Sequence, residues 1–357
     1  MPFENVLRNP EWWKSFFAKD RFSYDEIPDL SGKVCIVTGG TGGLGYATVV
    51  ALAAHGAHVF LACRNRVKAE EAIERAQTDI LQLQFDFPNA TYPPQKGSEQ
   101  PYEKSYSGVA GGPKLEFLEL DLADMNKAHF AAKDFLSRGL PLHILVNSAG
   151  IMMEEHDMSA DGYEHHFAIN HLGHFVFTNA LLNRMRESQP ARIVIMSSMA
   201  HEIPPSDKPI DFPHLRTSPP VQNEVLLYAQ SRVANVLYAR ALARRLRHDQ
   251  IYVNVAHPGC TDLQVQKKIR ASDSRCFKHF SKLWLRIAYP VRRGALTALF
   301  LATSAKVEEE DGGKGIRGRY FTPIAYELTP NPVTDDVDLQ ERLWAYSEKA
   351  AQGNSKI

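Results

Sequence analysis

Val34-Cys35-Ile36-Val37-Thr38-Gly39-Gly40-Thr41-Gly42-Gly43-Leu44-Gly45 is an apolar, β-branched run of strand length that ends in a burst of glycines. A small-residue pattern of helical period follows through Tyr46, Ala47, Val49, Val50, Leu52 and Ala53. These residues read as strand, tight turn, helix. Glycine lets the backbone turn sharply and lets a ligand approach it closely. The helix behind the turn offers unpaired N–H groups and the positive end of its dipole, which suit a phosphate. The glycine spacing carries weight because the strand and the helix it needs are both readable around it. Gly39, Thr41, Gly43, Leu44 and Gly45 are the candidate residues of this turn.

The whole chain of 357 residues has room for one large α/β domain or two smaller ones. Lys plus Arg and Asp plus Glu both number 41, a balance that argues against a general nucleic-acid binder. Cys35, Cys63, Cys260 and Cys276 are scattered without metal-ligand spacing and read as reduced thiols. No apolar stretch approaches the length of a membrane span, and the N-terminus shows no signal-peptide pattern. The expectation is a cytoplasmic protein, with peripheral membrane contact left open.

Further strands are expected at Ala57–Ala62, Leu115–Leu120, His143–Val146, Arg192–Met196, Ile251–His257 and Arg319–Thr322. Helices are expected between them, over Val67 to about Gln84, Asp124–Leu136, Ser159 to about Arg186, Asn223 to about Arg247, Gly294–Thr303 and Leu339–Ala350. Regular alternation predicts an α/β fold: a doubly wound, Rossmann-like parallel sheet of about seven strands, with helices on both faces. Ligands in such sheets bind beyond the carboxyl ends of the strands. The glycine turn, Arg64, Asp121 with Leu122, and Asn147 with Ala149 and Gly150 all fall at such ends. An acidic residue after the second strand would hold a ribose 2′-hydroxyl, and a basic one suits a 2′-phosphate. Arg64 stands there and no acid does, so NADP(H) is expected.

One domain over residues 33–350 is expected, preceded by an N-terminal arm over 1–32. Trp12, Trp13, Phe16, Phe17 and Phe22 make that arm aromatic; it either packs on the core or meets a membrane surface or partner. Residues 85–112 are rich in Pro, Gly, Ser, Gln and Tyr and read as a mobile insertion. Residues 263–291 mix Phe277, Phe280, Trp284 and Leu285 with Lys and Arg. That segment suits a lid over an apolar substrate, a helix packed on the domain, or a membrane-surface contact.

Two constellations remain. His171 and His174 lie three apart on an expected helix, but no acidic or thiolate third ligand is near, so no metal is expected. Tyr228 and Arg232 lie four apart and point to one helix face.

These motifs, in this order, are similar to the short-chain dehydrogenase/reductase family, over about residues 24–350. Within it the chain most resembles the branch of retinol dehydrogenases and WW-domain-containing oxidoreductases. Thr38-Gly39-x-x-x-Gly43-x-Gly45 resembles the cofactor motif, and Asp121-Leu122 the adenine contact. Asn147-Ser148-Ala149-Gly150 differs by one residue from the family's Asn-Asn-Ala-Gly. His257-Pro258-Gly259 with Thr261 resembles the segment that grips the nicotinamide amide. Asn170, Ser198 and Tyr228 match catalytic positions. The resemblance implies that Tyr228 exchanges a proton with a carbonyl or alcohol, Ser198 holds its oxygen, and Asn170 positions a water in a proton path. It also implies a possible homodimer, paired through the helices bearing Asn170 and Tyr228.

Relatives carry Lys four residues after the Tyr, and this chain carries Arg232. A tyrosine with a pKa near ~10 is only about 0.1% ionised at pH 7, so a cation beside it matters. Arginine keeps that charge and can bond ribose hydroxyls, but it does not release protons and differs from lysine in shape. Three functions stay open. One is NADP(H)-dependent hydride transfer on an apolar small molecule. Another is non-redox acid–base chemistry by Tyr228 and Ser198, as in an isomerase or dehydratase. The third is NADP(H) binding with little catalysis.

Overall fold

The strands are β1 (Val34–Thr38), β2 (His58–Cys63), β3 (Leu115–Glu119), β4 (Ile144–Asn147), β5 (Ala191–Met196), β6 (Ile251–Ala256), β7 (Tyr320–Thr322) and β8 (Tyr326–Glu327). In this computed structural model, which describes residues 18–86, 112–152, 157–205, 207–217, 224–261 and 288–353, they form one sheet in the order β3-β2-β1-β4-β5-β6-β7-β8. Every neighbouring pair is parallel except β7 with β8. The order reverses direction between β1 and β4, which opens a crevice at the strand ends there.

Apolar runs without alternation become strands buried on both faces. All of β1 is buried, with Cys35 and Val37 packing on one side of the sheet and Val34 and Ile36 on the other. The first side carries α1 (Gly43–Ala54), α2 (Arg66–Asp86) and α6 (Val291–Thr303). The second carries α3 (Met125–Ser137), α4 and α5 (Glu224–Arg245). Helix α4 opens with one turn at His165–Phe167, passes through a π-helical stretch at Ala168–Leu172, and continues over Gly173–Glu187. A short helix α7 (Lys306–Gly313) precedes β7, and α8 (Val337–Gly353) ends the described chain.

Expectations change at the Ser159 helix, the sheet edge and the start of the insertion, and of the two readings of the arm its later part takes the packed one. The helix expected from Ser159 begins at His165, because the Glu164 carboxylate accepts from the backbone N–H groups of His166 and Phe167 and so caps it there. Residues before it form a turn closed by a bridge between Met158 and Glu164. The sheet has an added antiparallel edge, β8, two residues long and below what periodicity can register. The later part of the expected arm belongs to the core: Phe22, Tyr24, Ile27 and Leu30 are buried against α1 and α6, and the Tyr24 hydroxyl donates to the Arg292 carbonyl at 2.7 Å. Of the expected 85–112 insertion, residues 85 and 86 belong to α2 instead, because the helix runs on to Asp86; its residues 87–111, residues 263–287 of the expected 263–291 lid, and Trp12, Trp13, Phe16 and Phe17 lie outside the described residues, and Val291 opens α6.

Helix α8 packs across α4 and α5. Trp344 stacks edge-on to Phe175 at 5.1 Å between ring centroids and lies 5.8 Å from Tyr238. Arg245 sits over the Trp344 ring at 3.8 Å, His171 Nε2 meets the Ser347 hydroxyl at 2.8 Å, and Arg240 and Arg244 pair with Asp335 and Glu341.

Candidate active site

The glycine turn is built for close approach. Gly39 and Gly43 have φ of +68° and +53°, a region that favours glycine. A side chain at Gly45 would collide with the Gly39 carbonyl, and one at Gly39 would press on Ala149. Gly42 precedes α1 as its N-cap residue and makes no side-chain hydrogen bond to it, so that residue leaves the first N–H groups of the helix unclaimed. Thr41 lends its carbonyl to the exposed guanidinium of Arg75 at 3.2 Å, and Arg75 also lies over the Tyr46 ring at 4.0 Å. This contact of Arg75 was not legible in the sequence, because Arg75 sits on α2 and reaches the turn only through the fold.

Arg64 is exposed beyond β2, beside Asn65, whose side chain accepts from Lys68 N at 3.0 Å and starts α2. Asp121 follows β3 and accepts from Ala123 N at 3.1 Å. Leu122 is buried, and α4 packs so close to its backbone that only a glycine fits at Gly173. Beyond β6, Pro258 and Gly259 are buried, Gly259 has φ of +77°, and Thr261 bridges Tyr289. A side chain at Gly294 would meet Thr261, Leu44 and the Pro258 carbonyl together, so α6 brings this segment beside the glycine turn.

The catalytic candidates converge at the β4 and β5 ends. Arg232 lies on α5 with its guanidinium 5.0 Å from the Tyr228 ring centroid, and both side chains are buried. Arg232 Nη1 donates to the Met196 carbonyl at 3.2 Å, Nε has no protein partner, and Nη2 lies where a side chain at Gly150 would go. Ser197 donates to the Arg232 carbonyl at 3.0 Å. Ser198 opens a 3₁₀ turn (Met199–Glu202) and accepts from Ala200 N at 3.3 Å. Ala200 and Ile203 of that segment pack with Tyr228, which brings the serine's loop onto the tyrosine.

Asn170 ties three segments together. Its Oδ1 accepts from Ile151 N at 2.9 Å, and its Nδ2 donates to the Ile151 carbonyl at 3.1 Å and to the Ser231 hydroxyl at 3.0 Å. Ser231 in turn donates to the Tyr228 carbonyl at 2.6 Å. Asn147 is buried in the core and donates to the Thr178 hydroxyl at 2.8 Å. Ala149 N donates to Thr38 Oγ at 2.9 Å. Thr38 meets His174 Nε2 at 2.9 Å, and His174 Nδ1 meets the Asn170 carbonyl at 3.2 Å. With a carbonyl on one side, Nδ1 carries the ring proton and Thr38 donates to Nε2. Burial, with Arg232 adding to it, pushes His174 down to about 4, so it stays neutral. The two histidines weighed as metal ligands therefore serve packing: His171 bonds α8 and His174 links the glycine strand to Asn170. Among the described residues no three His, Cys, Asp or Glu side chains gather as a metal site, and no helix is long and apolar enough to cross a membrane.

A glycine turn on the first strand, strand-end residues from β2 to β6 and a buried Tyr–Arg pair define a dinucleotide-binding α/β oxidoreductase fold. A short chain dehydrogenase family model matches residues 33–92 and 96–209. The chain is 34% identical to human retinol dehydrogenase 14, over 89% of this chain and 86% of that protein. It is 33% identical to an uncharacterized oxidoreductase of Schizosaccharomyces pombe, over 96% of this chain and 89% of that one. The solved structure of an uncharacterized Mycobacterium paratuberculosis protein shares the fold with a TM-score of 0.64 at 24% identity, over 93% and 97% of the two chains. L-sorbose reductase from Gluconobacter frateurii, solved with NADPH and L-sorbose, does so with a TM-score of 0.57 at 16% identity, over 84% and 98%. The chain belongs to the short-chain dehydrogenase family and is an oxidoreductase of that family.

Proposed function

We propose that the protein transfers hydride between NADP(H) and the carbonyl or alcohol of an apolar small molecule, as a member of the branch holding retinol dehydrogenases and WW-domain-containing oxidoreductases. The observation that carries this is the buried Arg232 guanidinium, beside Tyr228 and with one nitrogen unpartnered, at the strand ends that the glycine turn also reaches.

The residues fit the cofactor. The cradle that only glycines allow at 39 and 45, and the uncapped start of α1, suit the pyrophosphate. Arg64 would supply charge for a 2′-phosphate, Asp121 and Leu122 would flank the adenine, and Ala149 and Gly150, with Asn147 buried behind them on Thr178, would line the path between. The Arg232 guanidinium beside Tyr228 would bond the ribose hydroxyls. Pro258, Gly259 and Thr261 would hold the nicotinamide amide. When bound, NADPH supplies hydride. Tyr228 then gives its phenol proton to the substrate oxygen, and Ser198 hydrogen-bonds that oxygen as charge develops. Asn170 clamps the β4 loop to α5, since its side-chain oxygen and nitrogen already have protein partners.

The test is NADPH consumption against a panel of ketones and aldehydes, with Tyr228→Phe as control. Product formed without net change in nicotinamide absorbance would instead select the non-redox reading. Tight NADPH binding with no Tyr228-dependent turnover would select the binding-protein reading. For assembly, the outer face of α4 and α5 carries α8 of the same chain, so pairing through that face requires α8 to leave. We take a monomer as the working unit, and light scattering checks it.

A further inference from the structure

The turn that carries Ser198 holds a buried histidine with no part in the chemistry above. Among the described residues no group accepts from the Ser198 hydroxyl, and the hydroxyl oxygen accepts from Ala200 N at 3.3 Å. Its aim is therefore set by the backbone of the turn Met199–Glu202, which puts Ala200 N in place. That turn is closed on one atom. The Ser198 carbonyl accepts from His201 N at 3.0 Å and from His201 Nδ1 at 2.7 Å. A carbonyl only accepts, so Nδ1 carries a proton. The backbone bond alone is the ordinary closure of a 3₁₀ turn, whose hydrogen-bond geometry is poor, and the ring adds a second, shorter bond to the same oxygen. The ring is itself held. His201 is 0% exposed and lies on the Tyr320 ring of β7, with 4.7 Å between centroids at 43°. Nε2 faces Asn331 N at 3.4 Å, from the segment after β8, and Glu202 Oε1 at 3.3 Å. Whichever of these Nε2 serves, Nδ1–H stays on Ser198, so the hold does not depend on the charge of the ring. An apolar side chain of the same size would fill this space as well; a histidine adds the bond to the Ser198 carbonyl.

We propose that His201 is the positioning residue of Ser198: its ring clamps the serine carbonyl and so fixes the direction in which the hydroxyl meets the substrate oxygen. The proposal rests on the hydride-transfer reading, in which Ser198 hydrogen-bonds that oxygen as charge develops. A donor of this kind contributes in proportion to how well its direction is preset, and a displacement of about 1 Å can cost on the order of 10²-fold in rate. His201 touches neither substrate nor cofactor and acts through one hydroxyl. Its own anchors, Tyr320 and Asn331, come from the far edge of the sheet, so the serine is aimed by segments more than a hundred residues further along the chain.

The test uses the full chain with NADPH and a ketone that passes the Tyr228→Phe control, and two variants that divide the roles of the ring. His201→Asn keeps a donor where Nδ1 stands and gives up the outer contacts. His201→Gln keeps groups that reach Asn331 N and Glu202 and gives up the inner donor. His201→Gln is expected to lower kcat at least about tenfold with NADPH affinity within about threefold, and His201→Asn to keep kcat within about threefold of the unaltered protein. Equal losses in the two variants, or a larger loss in His201→Asn, mark the ring as packing and overturn the proposal. A kcat within about threefold for His201→Gln overturns it as well. A second measurement asks whether the effect runs through the hydroxyl. In a Ser198→Ala background the same His201→Gln change should cost less than about threefold in kcat, because residues that act as one unit are not additive. A loss of about tenfold in that background overturns the proposal. Where circular dichroism shows His201→Gln unfolded, His201→Phe, which keeps a ring on Tyr320, takes its place with the same expectations. Amide hydrogen exchange of the ligand-free protein tests the clamp apart from turnover. The amides of Ala200 and His201 donate to Ser198, so they should exchange at least about tenfold faster in His201→Gln than in His201→Asn. Equal exchange overturns the proposal even if no ketone is reduced, whereas faster exchange with no reduction counts against the hydride reading alone.

Discussion

The two ends of the crevice are made in opposite ways. At the β1–β2 end the proposed binding surface is mainly backbone: glycines at 39, 43 and 45 and a helix start without a side-chain cap, with Arg64 and Arg75 exposed to solvent nearby. At the β4–β5 end it is side chains that are buried and hydrogen-bonded to one another, with Asn170, Ser231, Tyr228 and Arg232 in one cluster. Holding a phosphate needs amides and charge that water can share, and sequence spacing alone supplies them. Moving a proton needs a group whose neighbours are fixed and dry, so each neighbour is a tertiary decision.

Substitutions at the two ends should therefore fail differently. Tyr228→Phe should cost about 10²–10⁴-fold in kcat with NADPH affinity unchanged, read by steady-state kinetics and by fluorescence titration of the cofactor. A comparable loss of affinity would show that the two ends are not separable. Arg64→Glu should do the reverse. It removes a charged contact of about 1.5–3 kcal/mol, so NADPH affinity should drop roughly tenfold to a hundredfold, with NADH affinity and kcat held. Equal losses for both cofactors would deny Arg64 its phosphate. Thr38→Val cuts the link between the two ends, since Thr38 accepts from Ala149 N and meets His174. Leaving those buried groups unpaired should cost about 1–3 kcal/mol in a denaturant melt.

Three buried histidines contribute a pH effect on stability. His171 and His257 are pushed down to about 3 and His174 to about 4, burial being the first cause in each. The unfolded chain takes up protons near pH 6.5 that these native rings refuse. Their contribution is complete above about pH 6.5, declines as pH falls towards 4, and should appear as a falling melting temperature over that window. His174→Gln should flatten the decline; an unchanged slope would show that His174 is charged in the folded protein.

Most of the sheet was legible because buried parallel strands are continuous apolar runs, and the observed bounds differ from the expected ones by about a residue. The helix expected from Ser159 was misplaced because its start is set by Glu164, whose capping role depends on a turn closed across Met158. Tyr228 and Arg232 were placed on one helix face by their spacing alone. His174 was visible only as a histidine. Its place depends on Thr38, 136 positions away in the chain, which no local pattern connects.

The sequence by itself determined the doubly wound sheet, the glycine turn and the replacement of the usual lysine by Arg232. These follow from periodicity, from backbone freedom and from residue identity, all of which are local. Only the tertiary structure decided that Arg232 lies buried with an unclaimed nitrogen, that α8 covers the helices bearing Asn170 and Tyr228, and that a buried histidine bonds the carbonyl of Ser198. Burial and hydrogen-bond partnership arise when distant segments pack, so the groups that set proton chemistry are fixed by folding and not by the order of residues.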